Sequence, residues 1–467
     1  MKRTLITLIA TTSILALSGC QSGKLPNLKA YNPFSKGVSE SAQEVKESGG
    51  EASETTSALP TLADMIGSAS SKVNVNAGFA VAMRDAISRD PYVLAAKSDA
   101  LSLKARTRST KSQKDFNFSG TLLGGVEDVT DKRSGVAAIV SAKRSLYDGG
   151  KLDAQIAADE FSAQAADYTV AATQNERGVA LAHAWIELER YRDLKGLIDS
   201  RLEVLDPLLT QLEAVVKSGM GDASQIAAAQ RTVSLIRVTE TDVSERYEQA
   251  KVNFVNLFGN LPEKVNFDGA KMAKAVPTQK PAVLAEAAPA LLARYNDYRA
   301  AEARLASIKA QGKFNVGFEA KLQRPFGSSD YGSDETIGLV LTKTFYRGDQ
   351  LTSQIDNADS AAKSKAEQVR ATYVTGERTL ESARQMIKSM DKAIVQAREN
   401  ANNARDEISY LRKQLIIGGS TLDSVLSAEA RLYDAESKEI GFVADRKKAQ
   451  VTILGTTGLL TKVLEIK

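Results

Sequence analysis

The 467-residue sequence holds one cysteine, one histidine and one tryptophan, only ten prolines, and aromatic residues at 6%. A single cysteine excludes a disulfide framework within the chain and any Cys-rich metal centre. A single histidine leaves little room for a His-based triad, a zincin site or a facial iron triad. A charge excess is missing as well. The formal net charge is +4, and without Lys2 and Arg3 the chain sets 59 basic residues against 57 acidic ones. Nucleic-acid binders usually carry a basic stripe, so nucleic acid is not expected as a partner. Past residue 19 no run is apolar over the roughly 20 residues that a spanning helix needs. If this chain crosses a membrane, it does so as a β-barrel. No catalysis, metal or cofactor is expected.

Lys2 and Arg3 precede an apolar run from Leu5 to Leu17 that ends in Leu17-Ser18-Gly19-Cys20. A basic start and a short apolar core mark a secretory signal. Small residues before a lone cysteine resemble the lipobox of bacterial lipoproteins. The resemblance implies removal of residues 1–19 and acylation of Cys20, and Gln21 in place of Asp implies sorting to the outer membrane. Residues 20–72 are rich in Ser, Gly and Glu, poor in large apolar groups, and read as an acylated flexible tether.

The rest of the sequence repeats itself. Arg144-Ser145-Leu146-Tyr147-Asp148-Gly149-Gly150-Lys151-Leu152 returns as Lys343-Thr344-Phe345-Tyr346-Arg347-Gly348-Asp349-Gln350-Leu351, at an offset of 199. The same offset carries Gly219 onto Gly418 and Ile226 onto Val425. Upstream, at an offset of 198, Pro91 matches Pro289 and Phe116 matches Phe314. Such spacing over about 150 residues marks an internal duplication.

Both copies change periodicity in the same order. Residues 78–112 and 283–311 are rich in Ala, Lys and Arg and read as helix. Phe314, Val316, Phe318, Ala320 and Leu322 then alternate with Asn315, Gly317, Glu319, Lys321 and Gln323. After a polar turn, Ile337, Leu339, Leu341, Lys343 and Phe345 do the same. These are strands of about ten residues, the length a tilted barrel strand needs to cross a bilayer. We place strands at 115–126 and 135–147 in the first copy and at 313–323 and 335–346 in the second, although alternation is poorer in the first. Long helical hairpins follow at 152–257 and 351–454, with tips at 218–222 and 417–421. Ile198, Leu202, Leu205, Leu209, Leu212 and Val216 step by three and four, a coiled-coil seam. Pro207 falls inside that seam and is expected to kink or interrupt the helix. The two repeats cover 73–262 and 283–467, with a linker at 263–282.

Four strands cannot close a barrel, and an open edge in lipid strands its backbone groups. Copies must therefore pool their strands. At this point the sequence resembles the TolC family of outer-membrane export channels. The resemblance covers residues 75–467 and rests on Leu146 to Lys151 after the second strand, with the tip segments Gly219 to Ser224 and Gly418 to Leu426. It implies a homotrimer with a 12-stranded β-barrel in outer-membrane lipid, continued by an α-helical barrel in the periplasm of a Gram-negative bacterium. It further implies a periplasmic adaptor protein and an inner-membrane ABC or proton-driven transporter as partners. By this resemblance Gly219, Met220, Gly221, Gly418, Gly419, Ser420 and Thr421 lie at the adaptor-facing tips. Asp222 and Asp423 are candidates for acidic residues at the tunnel entrance. The family often has Asp directly before the Val-Leu pair, but Ser424 stands there, and a one-residue shift turns a helical side chain by about 100°. A plain helix-start role suits both acids too.

The lipobox is common among efflux channels, whereas the body of the chain is somewhat closer to type I protein-secretion channels, and the lean is to protein export. The alternative is a multidrug efflux channel, and more remotely a periplasmic coiled-coil lipoprotein, which would have no need of lipid-length strands. Gly149-Gly150-Lys151 lacks the spacing of a phosphate loop. His183, two residues from Trp185, reads as a packing or surface residue. The basic and acidic stretch from Arg398 to Arg412 reads as a solvated or ion-paired helix face.

Overall fold

Two prolines start equivalent helices in the two halves. In the computed structural model, which describes residues 73–127, 133–217, 223–327, 329–345, 348–417 and 419–466, helix α1 (Phe79–Arg89) stops at Asp90. The Asp90 carboxylate accepts the Tyr92 and Val93 amides, and Pro91 begins α2 (Pro91–Ser112). Proline suits a first helical turn because its missing N–H has no partner there anyway. The first half continues with β1 (Asn117–Glu127), β2 (Arg133–Tyr147), α3 (Lys151–Lys217) and α4 (Ala223–Phe258). Short helices α5 (Gly269–Ala275) and α6 (Pro281–Glu286) connect to the second half. There α7 (Pro289–Ala310), β3 (Asn315–Phe326), β4 (Asp334–Thr342), α8 (Gln350–Ile416) and α9 (Leu422–Thr456) repeat the order, before a final turn, α10 (Leu460–Val463). β4 ends at Thr342, before the expected 346. Tyr346 and the tip residues Gly219, Met220, Gly221, Asp222 and Gly418 lie outside the described residues.

The strands form one antiparallel sheet in the order β1-β2-β3-β4. Phe118 stands opposite Ala142, Ala142 opposite Ala320, and Ala320 opposite Ile337, so the two hairpins share one continuous register. The duplication thus joins its hairpins edge to edge through β2 and β3. Among the described residues β1 and β4 are the two open edges of the sheet.

Asp148 builds the turn into α3, accepting the Gly150 amide at 3.0 Å and the Leu152 amide at 2.6 Å. Gly149 and Gly150 hold φ at +71° and +87°, and the equivalent Gly348 holds +58°. The left-handed backbone at Gly149 and Gly348 explains the one glycine that recurs in both copies, since Gly150 is matched by Asp349. At 67 residues each, α3 and α8 are rods of about 100 Å. Of the two effects expected of Pro207, interruption is not seen, since α3 runs from Lys151 to Lys217. Pro207 is exposed, so water can serve the one carbonyl its ring deprives of an amide donor.

The largest core lies midway along α3. Phe79 meets Trp185 and Phe267 edge-on at 5.3 and 4.7 Å, and Trp185 meets Phe254 and Phe258 at 5.2 and 5.6 Å. Met83, Ile87, Met272 and Leu460 close the cluster. Further toward the tips the core thins to Ile198 and Leu205 against Ile236, Val243 and Leu426. A second seam joins Ala401, Ala404 and Ile408 to Ala428 and Leu432. Of the expected α3 seam, Ile198 and Leu205 are buried and Leu202 is partly so; the side chains of Leu209, Leu212 and Val216 lie outside the described residues.

Candidate channel surfaces

Period-two alternation sorts the sheet into two unlike faces. One row set carries Phe118 and Leu122 on β1, Val136 and Val140 on β2, Phe318 and Leu322 on β3, and Ile337, Leu339 and Leu341 on β4. Phe118, Leu122, Ile337 and Leu339 are 73%, 74%, 78% and 68% exposed in the single chain. A water-facing sheet of this size would leave a contiguous apolar patch far beyond normal surface practice. The other face carries Ser119 hydrogen-bonded to Ser141 at 2.8 Å and Lys143 paired with Glu319 at 2.7 Å, with Thr121, Lys321 and Thr336 in the same rows. An apolar face backed by a hydroxyl-rich, charged one is the division expected between lipid and an aqueous lumen.

Aromatic rings gather at the helical end of the sheet. Phe116 packs on Phe118 and Phe318 at 6.0 and 5.8 Å, and Tyr147 on Phe314 at 5.0 Å. Tyr147 is exposed in this ring-rich row. At the opposite end Arg324 pairs with Glu335.

The described tip is a capped helix start. The Thr421 hydroxyl accepts the Ser424 amide at 3.3 Å, and the Ser420 hydroxyl donates to the Leu411 carbonyl at 2.8 Å. Gly419 follows α8 with its amide on the Gln414 carbonyl, in ordinary van der Waals surroundings. Val425 and Leu426 are buried, whereas Asp423 is partly exposed in the first turn of α9, where a carboxylate suits the helix N-terminus.

Behind the tip lies an ionic layer that sequence reasoning missed. Glu429, 2% exposed, accepts from Arg201 at 3.0 Å and from Arg412 at 2.7 Å. Glu436 accepts from the same Arg201 at 2.5 Å and from Arg405 at 2.6 Å. Arg201 therefore ties α3 to α9, while two arginines of the Arg398–Arg412 stretch tie α8 to the same acids. That stretch is ion-paired, as one of its two readings had it. The only hint of the layer was charge at heptad-like spacing on α9, because its partners lie as much as 235 residues apart.

His183 packs between α3 and α9 with Nε2 3.3 Å from the Lys448 carbonyl. Burial lowers its pKa, with the Lys448 charge adding to the effect. Burial likewise lowers the pKa of Lys448, whose ammonium pairs with Glu187. Among the described residues no three His, Cys, Asp or Glu side chains are grouped to hold a metal ion, and no helix is long and apolar enough to cross a membrane.

No protein-family model matches the sequence, and no curated protein matches it either. Solved structures do match. The outer membrane protein VceC of Vibrio cholerae is 15% identical with a TM-score of 0.71, over 80% of this chain and 95% of that one. CusC, described with transmembrane channel formation, is 12% identical with a TM-score of 0.70, over 80% of this chain and 90% of the other. The outer membrane channel CmeC of Campylobacter jejuni is 12% identical with a TM-score of 0.67, over 78% and 82%. Two hairpins in one four-stranded sheet, each feeding a pair of very long helices, give this chain the TolC-like outer-membrane channel fold.

Proposed function

We propose that three copies of this chain form the outer-membrane exit duct of a tripartite export machine. The observation that carries this reading is the four-stranded sheet with an exposed apolar face, a polar reverse face and two open edges. In lipid each unpaired backbone group costs several kcal/mol, so edges must meet edges. Pairing β4 of one copy with β1 of the next closes a 12-stranded barrel with its polar face on the lumen. The rods of α3 and α8 continue the wall into the periplasm for about 100 Å. An acylated Cys20 anchors each copy to the same membrane. The helical tips, with Gly419, Ser420 and Thr421 of the second repeat and Gly219, Met220 and Gly221 of the first, dock on a periplasmic adaptor that joins an inner-membrane transporter. The duct performs no catalysis, and energy enters at the inner membrane.

For cargo we keep the sequence-based lean to type I protein export. Deleting the gene and assaying both secreted protein and drug susceptibility separates the two cargoes. Loss of an exported protein with unchanged susceptibility supports secretion, and the converse assigns small-molecule efflux. The duct itself is tested in planar lipid bilayers, where the purified chain should give discrete ion conductance.

A further inference from the structure

We infer that the junction between sheet and helices is a basic collar that binds the anionic phospholipid headgroups of the leaflet on the helical side. The inference rests on the barrel reading and adds a lipid class to it.

Charge is divided between the two ends of the sheet. The described residues 104–116, 143–153, 309–313, 343–345 and 348–349, which flank the strands on the helical side, hold eleven Lys or Arg and four Asp or Glu. At the loop side the described residues 324–327 and 329–335 hold one basic and three acidic residues. Lys104, Arg106, Lys111 and Lys114 pair with Asp167, Asp159, Glu160 and Asp153 of α3, so with those acids counted the helical end keeps an excess of four positive charges, against an acidic excess at the other end.

Two of these cations stand where headgroups would be. Arg144 lies opposite Phe318 in the register, on the apolar face, with its guanidinium 5.1 Å from the centre of the Phe116 ring. Its Nε donates to the Lys114 carbonyl at 3.0 Å. Lys343, one residue past β4, holds its ammonium 5.6 Å from the Phe345 ring centre. Neither has an acidic partner among the described residues. Lys143, on the polar face, is by contrast paired with Glu319. The rings beneath Arg144 belong to the aromatic row, and aromatic girdles of membrane barrels sit at headgroup level. No charged residue interrupts the apolar rows between Phe118 and Leu122, or between Ile337 and Leu341. Cations at that depth, stacked on rings and free of carboxylates, complement a phosphate with a net negative charge, and less so a zwitterion.

The test uses the full chain reconstituted into phosphatidylethanolamine vesicles. Trace spin-labelled phosphatidylglycerol or phosphatidylethanolamine is added, and the motionally restricted fraction is read by electron paramagnetic resonance. The expected relative association constant favours phosphatidylglycerol by about fivefold, the effect of one cation near such a surface. The preference falls toward unity in molar salt. It falls likewise in the double variant Arg144→Gln/Lys343→Gln, is retained in Arg144→Lys, and is unchanged in Lys143→Gln. Equal restriction of both lipids by the native chain overturns the collar while leaving the barrel standing. So does a full preference surviving in the double variant. If neither lipid is restricted, the native chain has no lipid-facing surface, and barrel and collar fall together. The unlabelled-charge control is internal, since a misfolded variant loses its restricted phosphatidylethanolamine as well.

Discussion

Glu429 is a buried carboxylate whose two arginines come from different helices. Replacing it with Ala strands the largely buried Arg201, and breaking such a pair from one side should cost about 3 kcal/mol. Arg412→Ala removes a half-exposed partner of the same acid and should cost less than about 1 kcal/mol. Thermal melts of the two variants check this, and equal shifts would contradict the layer. His183 gives a pH signature. Burial holds its folded pKa below the ordinary 6.5, so the unfolded chain takes up the proton first as pH falls. The stability that the neutral ring contributes is present above that value and declines below it until the folded pKa is reached. Between about pH 7 and pH 5 the native melting temperature should therefore fall more than that of His183→Gln. Parallel curves for the two proteins would contradict it.

At the scale of elements, the turn from β2 into α3 separates two adjacent glycines. A Cβ on Gly149 would stand 2.6 Å from the Lys313 Cβ, whereas Gly150 opens on free space. Gly149→Ala should cost about 1–3 kcal/mol and Gly150→Ala the lower end of that range, both by thermal denaturation. Gly419 carries no positive φ and has room around it, so a bulky residue there should weaken export and leave assembly intact. Normal export by Gly419→Trp would remove its support as a docking position. The hairpins, the Asp148-Gly149-Gly150 turn and the paired long helices were legible because each is written in local alternation or punctuation, twice over. The ionic layer was not, since Arg201 and Glu429 are 228 residues apart and each alone reads as a solvated helical charge. The aromatic core was equally hidden: Phe79, Trp185, Phe254 and Phe267 come from separate segments with no shared period. That Pro207 would be carried inside α3 was not legible, because a proline's cost in a helix depends on whether water reaches the carbonyl it frees, and that depends on packing.

At the scale of the whole molecule, Cys20 and the sheet edges make separate claims. Cys20→Ala should abolish incorporation of labelled palmitate, and continued labelling would refute the lipobox. The edges are the stronger constraint. Among the described residues one copy presents four strands with an apolar face and two edges, so the proposed membrane form requires an assembly of copies. Native mass spectrometry of the full chain released from detergent micelles measures this directly. The predicted result is a mass of three chains, with no folded monomer below it. A stable single chain that leaves the micelle with its sheet intact and gains no partner on concentration would contradict the account.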